Sequence, residues 1–579
     1  MFGARSIYTR LVALIAALVA LACGSSSEPD GSGEASSFQY PETRELVDLV
    51  NQAAVLIRSE GEAAFDVFRV EGSRWRQGEE YVFVLDPEGK MVVHPDPAME
   101  GSSQLSLKDV NGKPVVRGLL DAAMSLPAKA EGWYHYQWPV PGGLLPRWKS
   151  SFVKLVEAPS GRRYVVGSGS YNDRMERAFV VDLVSDAVGQ VERLGTAAFP
   201  RFRDPKGPFV VKDAYVFVFD RKGTDLVNPG FPNLEGRELL DLQDSDGKPV
   251  IREMFEVVER AGEGWVDYMW PKPGESRSTL KSAYVAKARM GDDWVLVGSG
   301  VYLADAPKAA PSAPKMKAAE LVSLVRDAAV VFEQRGEAAY DEFRTPGSRW
   351  LHDDVYFFVW TLEGTRVFHA ASPEIEGRLA LDEQDVLGRP YARMFLETAR
   401  SASGEGWVHY VYPEPGKMFP VWKSAFLKRV EFPSGGQHLI GCGIYDMQMD
   451  DTFIEDVVSR AAALVEEQGR QAFPALRDRK GPFVFMDTYV FVEATDGTEL
   501  VNGGQPSLEG RNLIDLEDVR GVPVVRDQIA FALKEGSGWV SLHWYKPGQN
   551  VPALKKTFVR RVESGGETFI VGSGFYPEE

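Results

Sequence analysis

Cysteine is nearly absent: Cys23 and Cys442 are the two in 579 residues. A disulfide framework is therefore excluded, and Cys442 reads as a small buried residue. The seven histidines form no metal-ligand spacing with cysteine, so no metal site is expected. No Ser/His/Asp order recurs and no cysteine is placed as a nucleophile. The Gly-Ser-Gly segments end strands rather than open helices, which removes the phosphate-binding loop. The reading is a non-enzyme with no cofactor. Clustered positive charge is also missing, and the formal charge is −18. That argues against nucleic acid and anionic membrane surfaces as partners. Beyond residue 22 no apolar run reaches the length of a membrane-spanning helix. The length suggests about four domains at ~150 residues each.

The N-terminus does carry one apolar run. Arg5 and Arg10 precede Leu11–Ala22, and the run ends Val19-Ala20-Leu21-Ala22-Cys23-Gly24 before three serines. It is short for a bilayer span and fits a secretory h-region. The stretch resembles the lipobox of bacterial lipoproteins. The resemblance implies cleavage after Ala22, lipidation of Cys23 and a chain anchored in the lipid bilayer at one end, on the periplasmic face or at the outer membrane. An ordinary secretory signal with an incidental cysteine is the other reading. Residues 1–22 are thus expected to be a signal peptide and 23–37, rich in Ser, Gly and Glu, a flexible tether.

What the rest of the chain has in abundance is repetition. Four stretches are nearly the same: Gly132-Trp133-Tyr134-His135-Tyr136-Gln137-Trp138-Pro139, Gly264-Trp265 to Pro271, Gly406-Trp407 to Pro413, and Gly538-Trp539 to Trp544. Alternating aromatic and β-branched residues mark each as a strand. A second strand follows, opening at Lys149, Lys281, Lys423 or Lys555. A third ends in Gly-Ser/Cys-Gly-x-Tyr at Tyr171, Tyr302, Tyr445 and Tyr576. Upstream of each block lie a long amphipathic helix, a hairpin beginning at Tyr81, Tyr215, Tyr356 or Tyr489, and a second helix. The block tryptophans stand 132, 142 and 132 residues apart, so these are tandem domains rather than a solenoid. The expected division is 38–173, 174–305, a Pro/Ala linker at 306–316, 317–447 and 448–579. Repeats one and three share Gly-Ser-Arg-Trp; repeats two and four share Arg-Asp-x-Lys-Gly-Pro-Phe. The chain therefore reads as a pair of domains, duplicated, each pair stiff and the joint between pairs looser.

Period two places Tyr134, Tyr136 and Trp138 on one face of the block strand, the core or pocket face. Trp133, His135 and Gln137 fall on the other, expected to be mostly solvent apart from the tryptophan. The recurrent lysine is the sharpest signal. A lone strand lysine is ordinarily solvated, but an ammonium buried among rings needs an anion. No acidic residue recurs beside it, so a bound carboxylate fits. Arg117, Arg252, Arg393 and Arg526 recur in the second helix, either as surface ion pairs or as a second cation for the same anion. His94 and His369 alternate with Asn228 and Asn502. That exchange keeps hydrogen bonding but not metal affinity, and suggests contact with a small polar ligand or a turn cap.

The combined order of elements resembles the single Cache domain family, best in repeat two, where Trp270-Pro271-Lys272-Pro273-Gly274, Lys281-Ser282-Ala283-Tyr284 and Gly298-Ser299-Gly300-Val301-Tyr302 carry it. The resemblance implies four α+β, PAS-like domains, each a long helix on a central antiparallel sheet. It implies an extracytoplasmic pocket for short carboxylates, lined by Tyr81, His94, Tyr136, Trp138 and Lys149. The counterparts are Tyr215, Tyr268, Trp270, Lys281 and, beside that lysine, Tyr284; then Tyr356, Tyr410, Tyr412 and Lys423; then Tyr489, Trp544 and Lys555. Leu542 replaces the block tyrosine in repeat four, so that pocket is expected to be altered. The expectation is a ligand-binding lipoprotein that takes small organic acids and serves a separate membrane sensor or transporter. A surface scaffold with degenerate pockets is the alternative.

Overall fold

The computed structural model describes residues 38–126, 129–140, 144–171, 174–273, 275, 278–303, 316–414, 419–547, 549 and 551–577. The expected signal peptide, Cys23, the tether and all but the last residue of the linker lie outside them.

Repeat one opens with α1 (Pro41–Glu60), which starts on a proline and buries Leu46, Leu49, Val50, Ala53, Ala54 and Ile57 along one stripe. It ends at Gly61 with φ 62°, a left-handed conformation that costs glycine nothing. Gly195, Gly336 and Gly469 end the other long helices in the same way, at φ 57°, 52° and 55°. A short hairpin follows, β1 (Phe83–Leu85) and β2 (Met91–Val93). Then come α2 (Val115–Met124), β3 (Glu131–Pro139), β4 (Pro146–Glu157) and β5 (Arg163–Tyr171). The sheet is antiparallel throughout, in the order β2-β1-β5-β4-β3. The same order recurs in the other three repeats. Their long helices are Arg177–Leu194, Ala318–Arg335 and Asp451–Gln468, and their second helices Val250–Ala261, Tyr391–Arg400 and Val524–Glu535. The fold is α+β and PAS-like, four times over.

Each sheet separates two layers. In repeat one, α1 packs with Trp133, Phe152 and Tyr164 on one face, while α2 packs with Tyr134, Tyr136 and Val153 on the other. The second face is the expected pocket face. The first is not mostly solvent in repeats one and three, and here the expectation is corrected. Trp133 and His135 pack against Phe179, which belongs to the long helix of repeat two, with ring centroids 4.5 and 4.8 Å apart. Trp407 and His409 meet Phe453 in the same way. In repeats two and four Asp267 and Ser541 at the equivalent positions are exposed. The cover comes from the next domain, so strand periodicity alone had no means of showing it.

The doublets are fastened by cations that the motif analysis left without a role. Lys113 Nζ donates to the carbonyls of Gly207 and Val210, both at 2.8 Å. Arg389 donates to the carbonyls of Arg479, Gly481 and Val484. The Arg-Asp-x-Lys-Gly-Pro-Phe segment shared by repeats two and four is the socket for a side chain of the preceding repeat. Asp109, Asp244, Asp385 and Asp518 each accept from a backbone N–H of the block strand, at Gln137, Met269, Val411 and His543. Those bonds fix the second helix's approach to the sheet and hence the roof of the pocket face.

Candidate ligand-binding site

The site grows from cross-strand register. Tyr136 is the direct partner of Lys149, and Lys149 of Tyr171, so three side chains stand in one row across β3, β4 and β5. Tyr268–Lys281–Tyr302 and Tyr410–Lys423–Tyr445 form the same rows. In repeat four Leu542 faces Lys555. The hairpin tyrosine closes the row from below. Lys149 Nζ lies 3.7 Å from the centroid of Tyr81 and 5.0 Å from that of Tyr171. The distances to the hairpin tyrosines are 4.2 Å for Lys281 over Tyr215, 3.6 Å for Lys423 over Tyr356 and 4.0 Å for Lys555 over Tyr489.

All four lysines are buried, Lys149, Lys281 and Lys423 completely. Burial pulls each of their amines down from the usual 10.5 to about 7. Their surroundings differ. Lys149 Nζ and Lys423 Nζ have no hydrogen-bond partner. Lys281 Nζ donates to the Tyr215 hydroxyl at 3.0 Å.

Glycines make room for these side chains. A Cβ at Gly169, Gly300, Gly443 or Gly574 would stand 2.6, 2.8, 2.7 or 2.9 Å from the lysine Cε. The first glycine of each motif admits the ring of Phe83, Phe217, Phe358 or Phe491 instead. The Gly-Ser/Cys-Gly strand end is thus a slot cut for one phenylalanine and one lysine. Cys442 sits in that slot fully buried, its thiol pushed up to about 12 by burial, as a small packing residue.

The remaining expected residues divide. His94 and His369 are buried against the hairpin tyrosines, at 5.3 and 4.9 Å between ring centroids. Burial, and then the neighbouring lysine, lowers them to about 4 and about 3, so both are neutral rings. That explains why asparagine replaces them. His94 Nδ1 accepts from the Asp96 N–H, while His369 Nδ1 has no partner. Asn228 and Asn502 donate to Asp225 and Glu499. Tyr136, Tyr268 and Tyr410 are buried, with Trp138, Trp270 and Tyr412 set edge-on beside them. Phe419, from the repeat-three hairpin, packs against Phe231 and Trp270 and covers the site of repeat two. Trp544 donates to Gln505.

Two expectations are corrected. Arg117, Arg252, Arg393 and Arg526 are exposed. The last three pair with Asp241, Asp382 and Asp515 on the surface, so the second-cation role is excluded. They occupy the outward stripe of an amphipathic helix whose other stripe faces the sheet. Tyr284 packs on Trp265 under the long helix. Three residues separate it from Lys281, and an odd interval on a strand reverses the face.

Other site residues were missed. Tyr171, Tyr302, Tyr445 and Tyr576 flank the amines, and their hydroxyls donate to carbonyls at Pro139, Pro271, Pro413 and Tyr545. Their fourfold recurrence was the available signal. The hairpin pair below the lysine was also missed. It is Leu85 with Met91 in repeat one, Phe219 with Asp225 in two, Trp360 with Arg366 in three and Glu493 with Glu499 in four, each pair in direct register. Arg366 is buried and bonded to Glu383 at 2.7 Å.

An aromatic-lined pocket face, closed by a second helix and served by a buried cation, defines a ligand-sensing α+β domain. The chain belongs to the Cache domain family. A model described as Single Cache domain 2 matches residues 59–181 and 196–314, and one described as Cache domain matches 345–473 and 447–579. Cache domains are extracytoplasmic domains that sense small ligands. Over 95 residues the chain is 39% identical to the Sensor histidine kinase MctS of Rhizobium johnstonii, covering 16% of this chain and 20% of that protein. Over 119 residues it is 31% identical to the Methyl-accepting chemotaxis protein McpP of Pseudomonas putida, covering 21% and 20%. The chain therefore spans about a fifth of the length of these curated relatives. A solved structure described as "Structural basis for carboxylic acid recognition by a Cache chemosensory domain" is 24% identical, with a TM-score of 0.20, covering 22% of this chain and 91% of that one. Among the described residues no helix is long and apolar enough to cross a membrane.

Proposed function

We propose that this chain is an extracytoplasmic, lipid-anchored binding protein. It captures small organic acids in repeats one and three and reports their presence to a separate membrane sensor or transporter. The observation that carries this reading is the pair of orphaned amines, Lys149 Nζ and Lys423 Nζ, buried over tyrosine rings with no hydrogen-bond partner. A buried ammonium without an anion costs several kcal/mol, and a visiting carboxylate removes that cost through charge-assisted hydrogen bonds. The neutral histidine of the hairpin, beside the same tyrosine, offers a further hydrogen bond to an acid without competing for it. The Arg366 guanidinium adds positive potential in repeat three. The curated relatives, a sensor kinase and a chemotaxis protein, support a sensory role.

Calorimetric titration of the chain from residue 38 onward with acetate, propionate, lactate and pyruvate tests the reading. Binding of at least one acid is expected, with loss of about 30-fold or more in Lys149→Met/Lys423→Met, since stranding a buried charged partner costs 2 kcal/mol or more. Absence of binding, or binding unaffected by the double variant, would favour the scaffold alternative. Repeat two leans that way already: its amine is answered by Tyr215 and its site is covered by Phe419.

A further inference from the structure

The fourth repeat carries a site of different chemistry. Beneath Lys555 lies a cavity of ≈ 30 Å³ lined by Tyr489, Phe491, Glu493, Glu499, Asn502, Leu542, Trp544 and Thr557, among others. That volume admits a water-sized or ammonium-sized group. Three polar atoms on its wall are buried without a hydrogen-bond partner: Glu493 Oε2, Tyr489 Oη and Thr557 Oγ1. Glu493 is 2% exposed and Thr557 fully buried. Tyr489 also lines a cleft of ≈ 500 Å³ with residues of repeats one and three, including Trp148, Arg389 and Trp422. The tyrosine ring thus borders both the cleft and the cavity.

Two carboxylates face each other here. Glu493 and Glu499 are direct register partners on the hairpin, where repeat one has Leu85 and Met91. Glu499 Oε1 accepts from Asn502 Nδ2 at 2.7 Å, which leaves Glu493 unanswered. Lys555 does not answer it either, because no ion pair within 4.0 Å joins that amine to a carboxylate among the described residues. Two like charges buried side by side do not both ionise, so the pair retains at least one proton. The groups facing the pair are Lys555, Glu509 and Tyr489, with Asp487 acting on the lysine. Burial raises Glu499 to about 8 and holds Glu493 well above the usual carboxylate range.

We infer that the fourth pocket recognises a ligand bearing a protonated primary amine, seated between Glu493 and Glu499 with Tyr489 and Thr557 as further acceptors. This deepens the ligand-binding reading above by giving one repeat a charge preference opposite to that of repeats one and three. A cation entering between the carboxylates ionises them, so amine binding releases protons. An acid entering beside Lys149 or Lys423 fixes the ammonium, so acid binding takes protons up.

The test is titration calorimetry of the chain from residue 38 onward at pH 7, in two buffers of different ionisation enthalpy, with ethanolamine and with methylamine as probes. Binding of at least one probe with net proton release is expected. Glu493→Gln, which keeps the shape, should weaken it about 30-fold or more. Arg393→Ala, at an exposed surface pair, should leave it within twofold. Acetate in the same protein reports on the acid sites, whose failure is read from that arm alone. The inference is overturned if neither probe binds, if binding takes up protons, or if Glu493→Gln binds as the parent does.

Discussion

The first and fourth pockets share a frame; they differ at the block tyrosine, which is Leu542 in repeat four, at His94, which is Asn502, and most in charge at one cross-strand pair. Both have a lysine over a hairpin tyrosine, a glycine slot for its stem and a C-terminal tyrosine beside it. Repeat one places Leu85 and Met91 below the amine, and repeat four places Glu493 and Glu499 there. The frame is conserved because it is packing: the rings, slot and register must fit for the sheet to form. The hairpin pair is free to vary because it lies at the pocket floor, beyond the row that the sheet needs. Copies of one fold can in this way hold opposite charge preferences.

The largest effect should come from attacking the frame. Gly443→Val sets a side chain against Lys423 Cε at 2.7 Å and the Ala425 backbone at 3.0 Å. Overpacking of that kind costs ~3 kcal/mol, and the doublet that contains repeat three should melt earlier by calorimetry. Equal thermograms for parent and variant would show that the slot is not what the glycine provides.

Next in size is the lysine itself, where the two kinds of pocket should part. Without ligand, Lys423→Met should stabilise the protein by ~1–2 kcal/mol, because an unanswered buried amine is exchanged for an apolar chain of similar length. Lys281→Met should gain less, since it also strands the Tyr215 hydroxyl that Lys281 now meets. Denaturant titration of the two variants ranks them, and the reverse order would break the comparison.

Much of this was legible in the sequence, for stated reasons. The Tyr136–Lys149 row follows from period two and a hairpin of definable register, and fourfold repetition separated the lysine from ordinary surface lysines. Tyr284 was misplaced by reading nearness in sequence as nearness in space. The buried setting of Trp133 and His135 depends on Phe179, a residue of another domain, and no local pattern encodes it. Glu493 and Glu499 escaped notice because repetition was the guide, and they are where one repeat departs from the others. The arginines of the second helix recur for surface pairing, so recurrence alone did not mark function.

Acidity offers a smaller, opposite-signed contrast. Lys149 and Lys423 titrate near 7 in the folded chain against 10.5 when free. Between those values the unfolded chain binds more protons, so stability rises with pH, the cost of burial being fully present below 7. Glu499 is raised from 4.5 to about 8, so over that interval the folded chain binds more protons and stability falls. Subtracting the melting profile of Lys149→Met/Lys423→Met from that of the parent should leave a curve rising from pH 7 to 10. The same subtraction for Glu493→Gln/Glu499→Gln should leave one falling from pH 5 to 8. The smallest effect belongs to Arg393→Ala, whose exposed pair with Asp382 should be worth less than ~0.5 kcal/mol and should leave acid binding unchanged.

The most direct measurement is a pH titration of the lysine side chains by carbon-13 NMR, with the four block lysines assigned by substitution. The account predicts four resonances titrating near pH 7 in the free protein. Those of Lys149 and Lys423 should move up by two units or more when propionate saturates the protein. Block lysines that titrate near 10.5 in the free chain, or that keep the same midpoint with and without the acid, would contradict it.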